Sequence, residues 1–265
     1  MMKTLKQAFT HDKERYRVPR KVQDVIPIRR IWEDGIFQVG NRFAKTYKFS
    51  HINYLVASPE DKKSMFLTYA ELLNSFDSGA TTKITINNRR LNRKDFEQEI
   101  LLPMREDGLD RYRREYNDVL LAKATAGNGI MQEKYITISV IKKDIEQARS
   151  YFSRVGSDLT SHFAALGSKC TELGATDKLR VLHDFYRPGE EAVFHFDAKE
   201  MMKRGHDFKD YICPDSVEKH SDYLKLGEKY ARVIFLKDYA SYVKDDMVTE
   251  LTDIDRNMML SIDVI

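Results

Sequence analysis

Residues 31–74 read IWEDGIFQVGNRFAKTYKFSHINYLVASPEDKKSMFLTYAELLN, and their pattern decides the fold class. Asp34-Gly35 is a turn dipeptide between two apolar runs, the local signature of a β-hairpin. After Gly40 the run Arg42–Phe49 alternates loosely, with Phe43, Tyr47 and Phe49 set against Arg42, Lys45 and Lys48, which suits a half-buried strand. Ser58-Pro59-Glu60-Asp61 then announces a helix: Ser58 can cap it, Pro59 fits its first turn and Asp61 sits where a capping box puts an acid. Met65, Phe66, Tyr69, Leu72, Leu73 and Phe76 follow at helical spacing on one face, and Asp77-Ser78-Gly79 ends the run.

Working outward, Ile26–Trp32 and Ile36–Val39 are strand candidates upstream, and Thr82–Asn87 is a strand downstream with Ile84 and Ile86 on one face. Asn92 can cap a helix with Phe96, Ile100 and Leu101 inward. Leu109–Ala126 reads as a helix with Leu109, Tyr112, Tyr116, Val119 and Leu120 on a buried stripe, ended by Gly127-Asn128-Gly129. Tyr135–Ile141 is β-branched and apolar, a buried strand. The most regular helix follows, with Ile145, Ala148, Phe152, Val155, Leu159, Phe163 and Leu166 at three- and four-residue intervals before Gly167. Asp177–Tyr186 is a short helix, residues 187–220 are irregular, and Tyr223–Leu226, Tyr230–Leu236 and Met258–Ile265 are strands. Strands alternating with long helical crossovers give an α+β fold, with mixed sheets built from split β-α-β units and helices on one face.

Part of this order recurs. Gly40–Phe49 aligns without gaps on Gly227–Leu236, pairing Arg42 with Lys229, Phe43 with Tyr230, Ala44 with Ala231 and Lys45 with Arg232. A helix candidate follows in each, Pro59–Phe76 and Lys244–Leu251, and then a strand, Thr82–Asn87 and Met258–Ile265. This reads as an internal duplication. The expected organisation is a basic flexible leader over 1–24, a first α+β unit over 25–175 and a second, partial unit over 176–265. The strongly apolar run Met258–Ile265 leads us to expect a fragment of a longer polypeptide.

With 265 residues, 42% hydrophobic and 32% charged, the chain can bury a core beneath a well-solvated surface, and compositional disorder is excluded. No run reaches the length of a membrane span, and the basic leader holds no apolar run of the signal-peptide kind. Cys170 and Cys213 are far apart without a CxxC partner, which argues against a disulfide framework or a zinc site. A net charge of +3 is too mild to imply nucleic acid. The charge is uneven, however: residues 1–30 carry Lys3, Lys6, Lys13, Arg15, Arg17, Arg20, Lys21, Arg29 and Arg30 against Asp12, Glu14 and Asp24. Such a segment suits anionic lipid or nucleic acid, or is simply a solvated leader.

A nucleotide-binding P-loop needs GxxxxGK[ST], and Gly167-Ser168-Lys169-Cys170 lacks both the upstream glycine and the hydroxyl that would hold magnesium. Gly127-Asn128-Gly129 follows a helix and has no third glycine, so it is no dinucleotide site. His162, His183, His195, His206 and His220 cluster late, and His183-Asp184 and His206-Asp207 are dipeptides of the kind metal-dependent phosphohydrolases use. Arg111-Tyr112-Arg113-Arg114-Glu115-Tyr116 mixes cations and aromatics, which suits either a nucleic-acid surface or a solvated face over core tyrosines. No Ser-His-Asp or Cys-His arrangement can be assembled. No catalytic, cofactor-binding or metal-binding residue is assigned.

On the stretch over residues 31–74, and on the later DYLKLGEKYARVIFLKDYASYVKDDMVTELTD with MMLSIDVI, the chain resembles the amino-terminal domain of the type IV secretion and conjugation ATPases, the CagE/TrbE/VirB family. The resemblance runs from about residue 20 to the end and rests on positional and hydrophobic motifs, not catalytic ones. It implies a motor domain with Walker motifs, absent here, so ATP and magnesium are expected only there. It implies DNA transfer, peripheral location at the inner face of the cell membrane, and contacts with membrane subunits and sister copies. The expected role is non-catalytic docking, with Lys13, Arg15, Arg17, Arg20, Lys21, Arg29 and Arg30 as the candidate interaction surface. The alternatives are a metal-dependent phosphohydrolase or nuclease using the His/Asp set, and a nucleic-acid-binding module.

Overall fold

The computed structural model describes residues 19–54, 56–90, 101–126, 130–238, 241–242, 244–254 and 256–264. Strands β1 (Ile28–Ile31), β2 (Phe37–Val39) and β3 (Arg42–Phe49) form an antiparallel meander. Its first turn closes through Trp32 N–H to Ile36 O and Gly35 N–H to Trp32 O, with Gly35 at φ 76°. Only glycine adopts that conformation without steric cost, which is why the Asp34-Gly35 signal holds. The second turn uses Gly40 at φ 60°.

Helix α1 (Pro59–Asn74) starts as its sequence dictates, with Asp61 N–H donating to Ser58 Oγ at 3.1 Å. It leads to β4 (Thr81–Arg90). Helix α2 (Asp110–Ala126) and β5 (Ile130–Ile141) follow, then α3 (Ile145–Ala165), β6 (Cys170–Glu172) and α4 (Ala175–Tyr186). The expected helix from Asn92 falls mostly on residues 91–100, outside the described residues.

β3 and β4 are both antiparallel to β5, which lies between them. β5 and β6 are both antiparallel to β3. Two split β-α-β units therefore interlock, β3-α1-β4 with β5-α3-β6, in the β-α-β-β-α-β order of ferredoxin-like topologies. The fold class is α+β, as the alternation of elements implies.

The core lies between this sheet and α3. Phe43 and Tyr47 of β3, and Ile136, Ile138 and Val140 of β5, meet Ala148, Phe152, Val155, Leu159 and Phe163, with Leu72 of α1 completing the cluster. Each large side chain buried there contributes about 1.5–3 kcal/mol. Tyr47 donates its hydroxyl to Phe152 O at 3.1 Å, so its polar tip is satisfied within the core. Phe66, expected on the buried face of α1, is exposed instead.

α4 packs on the opposite face of the sheet. Leu179 joins Ile26, Ile28, Ile212 and Cys213 in a second cluster, against which Phe37 and Leu182 rest. Residues 187–220 hold α5 (Ala198–Arg204), two short 3₁₀ turns and β7 (Val217–Lys219). β7, β8 (Leu224–Leu226) and β9 (Lys229–Ala231) form a separate antiparallel sheet. The expected strand Tyr230–Leu236 is thus cut short at Ala231; among the described residues, no strand pairs with the residues beyond it. Helix α6 (Asp245–Thr252) leads to β10 (Met258–Val264). β10 pairs with β4, from Met258↔Asn88 to Val264↔Thr82, and extends the first sheet.

Candidate functional site

Among the described residues, α2 exposes most of its large apolar side chains. Tyr112 is 66% exposed, and Leu109, Tyr116 and Val119 are each about half exposed or more. The expectation that this stripe faces the core is therefore corrected. What faces inward is polar: Asn117 is buried, accepting Leu102 N–H through Oδ1 at 2.9 Å and donating Nδ2 to Leu102 O at 3.0 Å. A turn earlier, Arg113 binds Asp110 at 2.6 Å and also binds Asp107. The Arg113 hydrogen bond holds the Asp107 carboxyl well below the usual carboxylate range. These bonds tie the helix to the segment 102–110 just before it and satisfy the buried Asn117 amide. The opposite side is left as a row of aromatic and aliphatic side chains, with Leu102 and Met104 also exposed just upstream of the helix. Arg111 and Arg114 flank the row, and Arg111 pairs with Glu115 at 3.3 Å.

A second feature is the cleft between α4 and the sheet, with a volume of about 390 Å³. The sheet face here is hydroxylic: Thr46 and Thr137 hydroxyls are 2.9 Å apart and Thr85 and Ser261 hydroxyls 3.3 Å. Val181 and Phe185 of α4 form the apolar wall. Lys178 lies with Nζ 5.0 Å from the centre of the Phe37 ring. Burial, aided by Lys83, lowers its pKa to about 8.

Alongside it, Glu133 accepts from Lys48 at 2.6 Å and from the Tyr135 hydroxyl at 2.7 Å, and Arg89 lies 3.2 Å away. Burial pushes the Glu133 carboxyl upward, but those partners outweigh it and its pKa falls below the ordinary value.

No family model matches the chain, and no curated protein matches it.

Of the basic residues singled out from sequence, Lys13, Arg15 and Arg17 lie outside the described residues. Arg20 and Lys21 are exposed at the start of the described chain, just before the short 3₁₀ turn Val22–Val25. Arg29 and Arg30 point to solvent from β1, the edge strand of the main sheet. The two pairs sit on adjoining elements.

The His/Asp set does not come together. His183 is buried beneath Phe194, its Nδ1 3.5 Å from Asp184 Oδ1. His206 sits 3.4 Å from Asp210. No group of three metal-ligating side chains converges among the described residues. No helix of the described residues is long and apolar enough to cross a membrane.

Proposed function

We propose that this chain is the non-catalytic amino-terminal docking domain of a conjugative type IV secretion ATPase, joining the motor to membrane subunits and to sister copies. The observation that carries the reading is the start of α2: Asn117 and Arg113 bond to the segment just before the helix, while Leu109, Tyr112, Tyr116 and Val119 face solvent. An outward-facing aromatic row is the composition of an interface core, where tyrosine is enriched. The resemblance across residues 31–74 supplies the family, and the exposed Arg20, Lys21, Arg29 and Arg30 suit the anionic inner face of the membrane.

The test is binding of the chain to the small membrane subunits of the same apparatus, with self-association followed by sedimentation. Replacing Tyr112 and Tyr116 together by serine should weaken one of these contacts by about 30-fold or more, the effect of losing about 2 kcal/mol at an aromatic anchor. Unchanged binding in both assays overturns the reading.

One observation favours a second reading. Arg111 and Arg114 are exposed beside the two tyrosines, as single-stranded nucleic-acid surfaces require. Salt-sensitive binding of single-stranded DNA, lost in the same double variant, would select it.

A further inference from the structure

The cleft between α4 and the sheet has two unlike sides. On the sheet side, Thr46 and Thr137 form one hydroxyl pair and Thr85 and Ser261 another. Each pair holds two hydroxyl protons and uses one within the pair, so one is left for a further acceptor. Ser139 adds another hydroxyl to the lining. The helix side is apolar: Val181, Leu182 and Phe185 of α4 line it. A cleft of about 390 Å³ with an apolar wall and a few placed polar groups is of small-molecule size and kind.

Its charge is unbalanced. The charged side chains of the lining are Lys83, Asp263 and Lys178. Lys83 pairs with Asp263 at 3.4 Å, which leaves Lys178. That ammonium lies over the Phe37 ring, and among the described residues no carboxylate pairs with it. Burial and Lys83 both act against its charge, yet with a pKa of about 8 it still carries most of that charge at neutral pH. A partly buried cation in this state gains most from an anion.

The shape of the cleft orders the parts of such a ligand. Lys178, Val181, Leu182 and Phe185 recur at three- and four-residue spacing, so they share one face of α4. The ammonium therefore stands at one end of the wall and the Phe185 ring at the other, about 10 Å apart along the helix axis. Phe37 pairs with Ala44, and Thr46 lies two residues further along β3 on the same face. The Thr46–Thr137 pair thus adjoins the ring that Lys178 covers. Among the described residues no arginine lines the cleft, so the fork that reads phosphate bidentately is missing and one ammonium is left to match one negative charge.

We propose that this cleft binds a small monocarboxylic acid with an apolar body. The carboxylate meets Lys178 and accepts from the adjoining hydroxyls, and the body runs along Val181 to the half-exposed Phe185 ring. No residue of α2 lines the cleft, so this site stands or falls independently of the docking reading.

The experiment uses the intact chain with para-fluorophenylacetate as probe and its neutral amide as comparison. Fluorine NMR follows binding, and backbone amide shifts locate it. The expected dissociation constant of the acid is about 1 mM or below, with the amide about ten-fold weaker. Shift changes should fall on residues 178–185 and on β5 around Thr137. Lys178→Met should weaken the acid by about ten-fold and leave the amide within about two-fold. Phe185→Ala, at a ring already 55% exposed and so dispensable for folding, should weaken both ligands alike by about three-fold or more. Four results overturn the proposal: no binding at about 10 mM acid, equal affinity of the parent chain for acid and amide, equal weakening of both by Lys178→Met, and shift changes confined to other elements such as the exposed row of α2.

Discussion

Replacing Gly35 by alanine should cost this fold about twice or more what the same change costs at Gly40. Both glycines sit at positive φ, 76° and 60°, so each substitution forces a side chain into left-handed backbone at about 1–2 kcal/mol. The surroundings then separate them. A Cβ on Gly35 would lie 1.9 Å from Leu173 O and 3.0 Å from Leu173 C, both backbone atoms that no rotamer change can move. A Cβ on Gly40 meets nothing within 4 Å. Overpacking against a fixed wall adds about 1–3 kcal/mol, bringing Gly35→Ala to roughly 2–5 kcal/mol and leaving Gly40→Ala at roughly 1–2 kcal/mol. With a urea slope of about 3 kcal/mol per molar, the midpoint should fall by about 1 M at Gly35 and by about half that or less at Gly40. Equal shifts would refute the claim that the β1–β2 turn is wedged against the backbone between β6 and α4.

Two pH predictions follow from the polar side of the sheet. The Glu133 carboxyl has its folded pKa below the unfolded value, so its contribution is present above about 4.3 and lost as pH falls through the lower folded value; urea midpoints between pH 7 and pH 3 should fall less steeply in Glu133→Gln, and parallel slopes would refute the assignment. Lys178 is the opposite case, because its folded pKa of about 8 lies below the unfolded value of about 10.4 and the folded state binds fewer protons between them. Stability should therefore rise across that window in the parent chain and rise less in Lys178→Met, and an unchanged rise in the variant would show that another group is responsible.

Local chemistry was legible where a short segment decides its own conformation. The Asp34-Gly35 turn, the Ser58 cap and the α3 stripe from Ala148 to Phe163 all appear where the residues place them. On α2 the pattern and the structure differ, because apolar residues at helical spacing mark a stripe but not the direction it faces. On the side away from the stripe, Asn117 pairs with the backbone of Leu102 and Arg113 closes on Asp107 and Asp110. Neither contact leaves a periodic trace in the sequence. Among the candidate site residues, Arg29 and Arg30 are both exposed, which strict strand alternation does not give; the register of β1 shifts between Ile28 and Arg30. The cleft under α4 was not legible, since Lys178, Phe37 and Ser261 meet only through the packing of separate elements.

The sheet also explains why its two faces differ. Interlocked split units place their crossover helices on one side, and here α1 and α3 cover the face carrying Phe43, Tyr47, Ile136 and Ile138. The other face must be covered by something outside the β-α-β-β-α-β core. α4 does this over β1 and β2, where Ile28 and Phe37 are apolar. Towards β4 and β10 the cover thins, and the strands change character accordingly: Thr85, Thr137, Ser139 and Ser261 replace aliphatic side chains, and Lys83 pairs with Asp263 at 3.4 Å. Hydroxyls satisfied across neighbouring strands tolerate partial hydration that isoleucine or valine would not. The polar face thus follows from the topology: where α4 does not reach, the side of the sheet away from α1 and α3 needs side chains that can live beside water.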